Sequence, residues 1–172
     1  ITENSTVEVL PISRKIANHY RLLWVKKADM KDTGEAYLVM VDKKLIGVLV
    51  LMSGMQFGHQ MCVILSDPGS PTSKYSRLSK LILYICCTQQ MLDEFNEKCM
   101  WEHVGFTTRV FTNAAVSMKY RDLFDLAERK QDKSPGAEYA NILIYQNKDK
   151  ILPTFQDGLK AWLYAHGTQK KK

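Results

Sequence analysis

Apolar and polar residues alternate along the chain with two different periods, and their order predicts a series of strands and helices. Two runs rich in β-forming residues, Ala36–Val41 and Leu45–Met52, flank the polar turn Asp42-Lys43-Lys44. This pattern predicts a β-hairpin whose two faces are largely covered. From Lys74 the apolar residues recur at helical spacing, which predicts one long helix that ends near Lys98. The apolar stripe of this helix consists of Leu78, Leu81, Ile82, Ile85, Leu92 and Phe95.

The other elements follow from the same two periods and from the turn residues between them. Further strands are predicted at Val7–Leu10, Gln60–Leu65, Phe106–Phe111 and Tyr139–Gln146. Further helices are predicted at Ser13–Val25, with Ile16, Tyr20 and Leu23 as its apolar face, at Val116–Ala127 and at Thr154–Ala165. The order is β-α-(β-hairpin)-β-α-β-α-β-α, which predicts a mixed α/β sheet with helices on both sides. We expect a single domain over residues 1–172, with a disordered basic tail at Lys170–Lys172.

Composition narrows the class of protein. Hydrophobic residues make up 45% of the 172 residues and charged residues 24%, which is typical of a globular domain. The longest apolar runs are much shorter than the ~20 residues of a membrane-spanning helix, so no membrane partner is expected. No CxxC, HxxxH or HExxH spacing occurs, so no metal site is predicted. The four cysteines are expected to be reduced thiols, which implies a cytoplasmic location. They are Cys62, Cys86, Cys87 and Cys99.

The formal net charge of +6 permits binding to phosphate groups without demonstrating it. Basic and aromatic residues of the first predicted helix are candidates for a DNA-facing surface. They are Arg14, Lys15, His19 and Tyr20. The alternatives are a solvated surface for the charges and a half-buried amphipathic face for His19 and Tyr20.

A candidate anion site lies where the strand that ends at Leu65 gives way to the polar loop Ser66–Ser73 and then to the long helix. A helix start presents free backbone N–H groups and a partial positive charge, which suit a phosphate. The candidate binding residues are Leu65, Ser66, Lys74, Ser76, Arg77 and Ser79. The alternative is an ordinary strand-to-helix connection with basic residues on its solvent side.

A second candidate segment begins at Asn113, after a predicted strand. Its side-chain oxygen suits the N-cap of the predicted helix at 116–127. Ser117 and Tyr120 are three residues apart and would share a helix face, where the Tyr120 hydroxyl could donate a proton to a leaving group. The alternative is that Asn113 only caps the helix and Tyr120 only packs.

The hairpin, the strand–loop–helix segment at 60–98 and the Asn113…Tyr120 spacing together resemble the GNAT acyltransferase superfamily. The resemblance covers roughly residues 35–147. It implies a GNAT-like α/β fold, with a mixed, mostly antiparallel central sheet and helices on both faces. In that family the pyrophosphate of acetyl-CoA or another acyl-CoA rests on the loop before the long helix. The resemblance therefore implies that Asn113 belongs to the cofactor site and that Tyr120 acts as general acid.

Two departures from the family pattern are visible. The family loop reads (Gln/Arg)-x-x-Gly-x-(Gly/Ala), and here Lys74, Arg77 and Ser79 occupy the three defining positions. Arg77 prevents the close backbone approach that Gly allows, although its guanidinium can bind phosphate directly. The Gly-Phe after the family's Tyr is replaced by Leu123-Phe124. The chain is also similar in general style to the Mom-like phage proteins, which modify adenine in DNA and lack the Gly-rich loop.

The resemblance implies an N-acyltransferase that moves an acyl group from acyl-CoA to an amine, with a nucleobase amino group in DNA as one acceptor. Backbone N–H groups near Leu65 would polarise the thioester carbonyl. Tyr120 would protonate the leaving thiolate, Ser117 would orient the acceptor, and Asp67 or a water would relay the amine proton. The alternative is a GNAT-like fold without CoA chemistry that binds nucleic acid or a protein through its basic surface.

Overall fold

A computed structural model describes residues 1–24, 33–65, 75 and 77–166 of the chain. The strands within these ranges are β1 (Val7–Ile12), β2 (Glu35–Val41), β3 (Lys44–Gln56), β4 (His59–Ile64), β5 (Phe106–Thr112), β6 (Asp125–Gln131) and β7 (Asn141–Asn147). The helices are α1 (Arg14–Trp24), α2 (Leu78–Cys86), α3 (Gln89–Cys99) and α4 (Phe155–His166). The predicted basic tail lies outside the described residues.

The seven strands form one sheet in the order β1-β2-β3-β4-β5-β7-β6. Neighbouring strands are antiparallel except for β4 and β5, which run parallel. The last strand of the sequence, β7, lies between β5 and β6. The predicted mixed, mostly antiparallel sheet is therefore confirmed, as is the hairpin of β2 and β3.

Helices cover both faces of the sheet, as the sequence predicts. On one face, α2, α3 and α4 pack on the larger core, to which β3 contributes Leu49 and Leu51. On the other face, α1 covers a smaller core that includes Ala17, Val48 and Val50. No helix of the described ranges is long and apolar enough to cross a membrane. All four cysteines are free thiols, in agreement with the prediction.

The first helix buries a different face from the predicted one. Ile16 and Leu23 are 49% and 64% exposed, whereas Ala17 and Arg21 are buried. Tyr20 packs against the smaller core together with Trp24, and the two rings are stacked with centroids 5.1 Å apart. The prediction of a helix is confirmed, but the prediction of its buried face is wrong. The face that contacts the sheet has the small residue Ala17 at its centre.

The predicted long helix is two helices, because the chain turns at Cys87 and Thr88. The Thr88 hydroxyl accepts from the N–H of Met91 and donates to the carbonyl of Ile85, so it caps α3 and ends α2. The segment before α4 occupies the break, since Leu152 donates to the Cys87 carbonyl and accepts from the Gln89 amide. The apolar stripe is nonetheless continuous, and all six of its members are buried.

The helix predicted at Val116–Ala127 is wrong. Residues 118–123 form turns, and Asp125–Gln131 forms the edge strand β6, paired with β7. Four of the seven β6 residues are charged and five of the seven are exposed. An edge strand keeps only one hydrogen-bonded neighbour and tolerates such charges, so its sequence lacks the apolar alternation that marks an inner strand.

We expect Gly158→Ala to destabilise the fold, although Gly→Ala at an ordinary helix position is stabilising by up to about 1 kcal/mol. A Cβ at residue 158 would lie 2.5 Å from the backbone carbonyl oxygen of Tyr84, because α4 packs closely on α2 there. Overpacking of this kind costs about 1–3 kcal/mol. Thermal unfolding should show a Tm lowered by roughly 2–10 °C. The exposed Lys160→Ala in the same helix is the control, and an unchanged or raised Tm for Gly158→Ala would contradict the close packing.

Candidate functional site

The parallel strands β4 and β5 separate after a short contact. Their pairing runs from Cys62–Phe106 to Ile64–Thr108 and stops there, although β5 continues to Thr112. A cavity of about 360 Å³ lies at this point and is bordered by β3, β4, β5 and β7. We call it the β4–β5 cavity. Because β7 pairs with the other side of β5, the backbone groups of residues 109–112 that face β4 have no strand partner among the described residues.

The β4–β5 cavity is mainly apolar and has one charged lining residue among the described residues, Arg109. Gly54 keeps part of its volume open, since a Cβ there would lie 2.9 Å from a methyl group of Val63. An apolar cavity with one cationic group suits a ligand that has an uncharged body and one anionic or electron-rich end. The apolar lining residues are Met52, Met55, Val63, Ile64, Leu65, Phe111 and Ile144.

The amide of Leu65 is not a free donor, contrary to the prediction that it would polarise a thioester. Its N–H donates to the carbonyl of Val50 at 3.1 Å. The side chain of Leu65 does line the β4–β5 cavity. Leu65 therefore forms part of the cavity wall, and a hydrogen-bond donor for the oxyanion has to come from another group.

A second cavity, of about 290 Å³, lies at the start of α2. Four of its lining residues are cationic and one is a carboxylate, so its formal charge is 4 − 1 = +3. We call it the basic cavity. Such a concentration of cations attracts a multiply charged anion such as a pyrophosphate. Its lining residues are Arg77, Ser79, Lys80, Met118, Lys119, Arg121 and Asp122.

Arg77 holds the N-terminal cap position of α2 in a left-handed backbone conformation, with φ of 60°. Its guanidinium lies 3.0 Å from Nδ1 of His166, and its carbonyl accepts from the Trp162 indole. Arginine is always protonated, so Nδ1 must be the acceptor and His166 must carry its proton on Nε2. The basic side chain is thereby anchored between α2 and α4.

The pKa of His166 reflects the positive potential near the basic cavity. This residue is 5% exposed. Burial lowers the pKa of His166, and the positive charges of Lys80 and Arg77 lower that pKa further, against an opposing effect of Asp122. The buried Lys80 ammonium lies 3.4 Å from the Asp122 carboxylate. A neutral imidazole beside two cations indicates a positive local potential, which favours an anionic ligand.

The structure brings together only some of the residues predicted to bind a cofactor. Arg77 and Ser79 line the basic cavity, and Leu65 lines the β4–β5 cavity. Lys80, Lys119 and Arg121 also line the basic cavity and are not among the predicted residues. Ser66, Asp67, Lys74 and Ser76 lie outside the described residues.

Tyr120 lies in the larger core. It is 1% exposed, its ring stacks on Tyr145 with centroids 5.2 Å apart, and it meets Phe124 edge-on. It lines neither cavity, so its action as a general acid remains a prediction. Ser117 is half-buried, and its amide donates to the Tyr145 hydroxyl at 2.7 Å.

Asn113 does not cap a helix, because the residues between it and β6 form bends and turns. Its side-chain oxygen accepts from the Ala140 amide at 2.8 Å and so joins the segment after β5 to the start of β7. The prediction of a helix cap was wrong because it rested on the helix at 116–127. Asn113 also lines neither cavity.

The predicted nucleic-acid residues lie on α1. Arg14, Lys15 and His19 are exposed, whereas Tyr20 is half-buried and packs on the smaller core. The alternative interpretation of Tyr20, as part of a half-buried amphipathic face, is therefore confirmed. The helix lies on the same face of the sheet as the β4–β5 cavity, since alternate β3 residues line both.

A sheet of this order, split between its two parallel strands, defines the GNAT fold. Solved structures with this fold include an IAA acetyltransferase from Bacillus cereus ATCC 14579. Its TM-score is 0.55 at 13% sequence identity, and the match covers 83% of this chain and 99% of that chain. A Bacillus subtilis acetyltransferase in complex with CoA has TM-score 0.53, 12% identity, and 84% and 99% coverage. A GNAT family acetyltransferase from Elizabethkingia anophelis with acetyl-CoA bound has TM-score 0.51, 12% identity, and 86% and 99% coverage.

The chain belongs to the phage GNAT-like domain family, whose model matches residues 4–167. The predicted membership of the GNAT superfamily is thereby confirmed. No curated protein matches the chain. The resemblance to the Mom-like group in particular remains a prediction.

Proposed function

We propose that this protein is an N-acyltransferase that transfers an acyl group from an acyl-CoA to an amine. The observation that carries the proposal is the pair of cavities: one at the β4–β5 split, where the β5 edge has no partner strand in the described ranges, and a basic one at the start of α2. The first suits an extended amide-containing arm, and the second suits a pyrophosphate. Acetyl-CoA and CoA are bound in two of the structures with the same fold.

The pantetheine arm of CoA carries two amide groups and would add to the β5 edge as a short extra strand. Backbone groups of residues 109–112 that face β4 supply the hydrogen bonds, in the manner of strand addition. Arg77, Lys119 and Arg121 would hold the phosphates, since charge-assisted hydrogen bonds to phosphate are strong. The acyl group would then lie in the apolar β4–β5 cavity.

In the reaction, the amine nitrogen attacks the thioester carbon, a C–N bond forms and the C–S bond breaks. The amine loses a proton to Asp67 or to a water, and Tyr120 gives a proton to the leaving thiolate. Ser117 orients the acceptor, and Asn113 fixes the segment between β5 and β7. Donors on the open β5 edge replace Leu65 as candidates to stabilise the tetrahedral oxyanion.

We further propose that the acceptor amine belongs to a negatively charged molecule, as a nucleobase amine of DNA does, because the DNA phosphates carry negative charge. Arg109 supplies a cation inside the β4–β5 cavity, and Arg14 and Lys15 lie on the helix that covers the same face of the sheet. Mass spectrometry of nucleosides from DNA incubated with the protein and acetyl-CoA should show an acylated nucleoside. Acylation of free amines with unmodified nucleosides would remove DNA as the acceptor and leave the acyl transfer.

The competing function is a binding module that keeps the GNAT fold without CoA chemistry. Arg77 at a position where the family has Gly, the occupied Leu65 amide and the buried Tyr120 favour it. Such a protein would bind DNA or a partner protein, and acetyl-CoA would leave its stability unchanged.

A thermal-shift titration separates the two functions. A ligand that binds only the folded state adds about 2.7 kcal/mol of stability at a hundred times its Kd. For a chain of this size we expect acetyl-CoA to raise the Tm by roughly 5–10 °C. Pantetheine, which lacks the phosphates, is the matched control and should give a much smaller shift. No shift at millimolar acetyl-CoA would contradict the acyltransferase proposal.

A further inference from the structure

Four polar side chains form a continuous hydrogen-bonded row on the sheet face opposite the β4–β5 cavity. We call it the Ser53 cluster. The Gln60 side-chain amide donates to Ser53 Oγ at 2.6 Å, and Ser53 Oγ lies 2.8 Å from Nε2 of His103. Nδ1 of His103 lies 2.6 Å from Oδ1 of Asn96. The residues come from β3, β4, α3 and the segment before β5, so the fold and not a local turn assembles them.

The direction of every hydrogen bond in the row follows from one backbone contact. The amide N–H of His103 donates to Oδ1 of Asn96 at 3.1 Å, so that Asn96 atom must be the carbonyl oxygen. Nδ1 of His103 faces the same oxygen and must therefore carry the proton. In the neutral imidazole Nε2 is then the acceptor, and it takes its hydrogen bond from the Ser53 hydroxyl.

The imidazole is held in its basic form. His103 is 6% exposed and its ring packs on Phe95, with centroids 4.9 Å apart. Burial lowers the pKa of His103 below the ordinary value of 6.5, against the smaller opposing effect of a hydrogen bond with the Trp101 backbone, so the ring is neutral at pH 7. A serine hydroxyl that donates to a neutral imidazole, itself oriented by a third group, is the arrangement that activates serine nucleophiles.

The surface around the cluster is apolar and exposed. Trp101, two residues before His103, is 66% exposed. Phe57, Met100 and Val104 in the adjoining turns are also exposed. Ser53 itself is half-buried, so its hydroxyl lies at the border of this apolar surface. A ligand with an apolar acyl chain suits such a surface better than a charged one.

We propose that Ser53 is a nucleophile for esters of apolar acyl groups, with His103 as its general base and Asn96 as a positioning residue. Ser53 Oγ attacks the ester carbonyl carbon, and its proton passes to Nε2 of His103. The ester C–O bond breaks, the leaving alcohol takes that proton, and the acyl group remains on Ser53. Water then attacks the acyl-enzyme through the same base and releases the acid. The Gln60 amide is a donor for the oxyanion.

A fluorophosphonate probe tests the proposal without knowledge of the natural ester. Ser53 Oγ should form a bond to phosphorus with release of fluoride, and mass spectrometry of peptides should locate the label on Ser53. Ser53→Ala should abolish both the label and the hydrolysis of p-nitrophenyl butyrate. His103→Gln should slow labelling by about 100-fold, within the range of general-base effects. Asn96→Ala should slow it by a smaller factor.

Matched controls and folding checks make the result decisive. His59→Gln and Ser134→Ala change exposed residues of the same types and should leave labelling unchanged. If the His103→Gln variant is unfolded at the assay temperature, the labelling rate of Asn96→Ala and the peptide map of the unaltered protein test the proposal instead. The absence of label on Ser53 in the folded protein would overturn the proposal, as would an unchanged labelling rate in folded His103→Gln. Neither result depends on CoA, so the proposed acyltransferase stands or falls separately.

Discussion

Arg77→Glu should weaken acetyl-CoA binding by at least about 100-fold, which corresponds to about 3 kcal/mol. The substitution removes a cation at the start of α2 and puts a carboxylate in the basic cavity, where it repels the phosphates. The substitution removes the hydrogen bond to His166, but the fold should tolerate it, because the hydrogen bond from Trp162 is made to the backbone carbonyl of residue 77 and is kept. An acidic side chain also suits a helix N-terminus. Isothermal titration calorimetry measures the Kd directly.

Arg14→Glu is the matched control for this variant. It makes the same charge change, from a net +6 to +4, on an exposed residue of α1 on the other face of the sheet. Binding of acetyl-CoA by Arg14→Glu should remain within a few-fold of the unaltered protein. Equal losses in both variants would mean that only the overall charge matters, and equal retention would place the phosphates outside the basic cavity.

Tyr120→Phe should lower kcat by about 10- to 1000-fold with little change in Tm, if Tyr120 protonates the leaving thiolate. The substitution isolates the hydroxyl, since phenylalanine keeps the ring contacts with Tyr145 and Phe124. Steady-state kinetics with the best acceptor amine measure kcat, and the KM for acetyl-CoA should change little.

The fully matched control is Tyr164→Phe, which removes a hydroxyl from a side chain that is 97% exposed. Its kinetics should equal those of the unaltered protein. A kcat that survives in Tyr120→Phe would assign Tyr120 to packing alone. The proton donor would then have to be sought among other groups near the β4–β5 split.

The parts of the fold that could be predicted are those in which one residue's environment is set by its near neighbours in sequence. The hairpin of β2 and β3 is marked by two apolar runs and a polar turn, and the stripe from Leu78 to Phe95 by its period. The break at Thr88 could not be predicted, because it depends on hydrogen bonds to Leu152, a residue distant in sequence. The edge strand β6 was missed because its charges give no alternation.

The candidate site was predicted in part for the same reason. Arg77 and Ser79 were selected because they open a clear helix. Lys119 and Arg121 reach the same cavity from a segment that was assigned to a helix and is a series of turns. The positive charges from Lys119 onward are evident in the sequence, but no neighbouring residue indicates that they face α2. The Ser53 cluster joins four distant segments, and no sequence motif marks it.

The proposed CoA site and the Ser53 cluster therefore use different residues. The β4–β5 cavity lies on the face of the sheet that α1 covers, whereas the Ser53 cluster lies on the opposite face, against α3. The basic cavity, at the start of α2, lies on the same face as the cluster but shares no residue with it. The Ser53 side chain and a Cβ built at Gly54 point to opposite sides of β3, because successive residues of a strand alternate. Variants at one site are thus expected to leave the other intact.

A crystal structure of the protein with bound CoA tests the central claim most directly. We predict that the pantetheine arm lies along β5 beyond Thr108, hydrogen-bonded to the backbone of residues 109–112, with its phosphates contacted by Arg77 and at least one of Lys119 and Arg121. A structure from crystals grown at saturating CoA in which both cavities contain only solvent, or in which CoA lies elsewhere, would contradict the account.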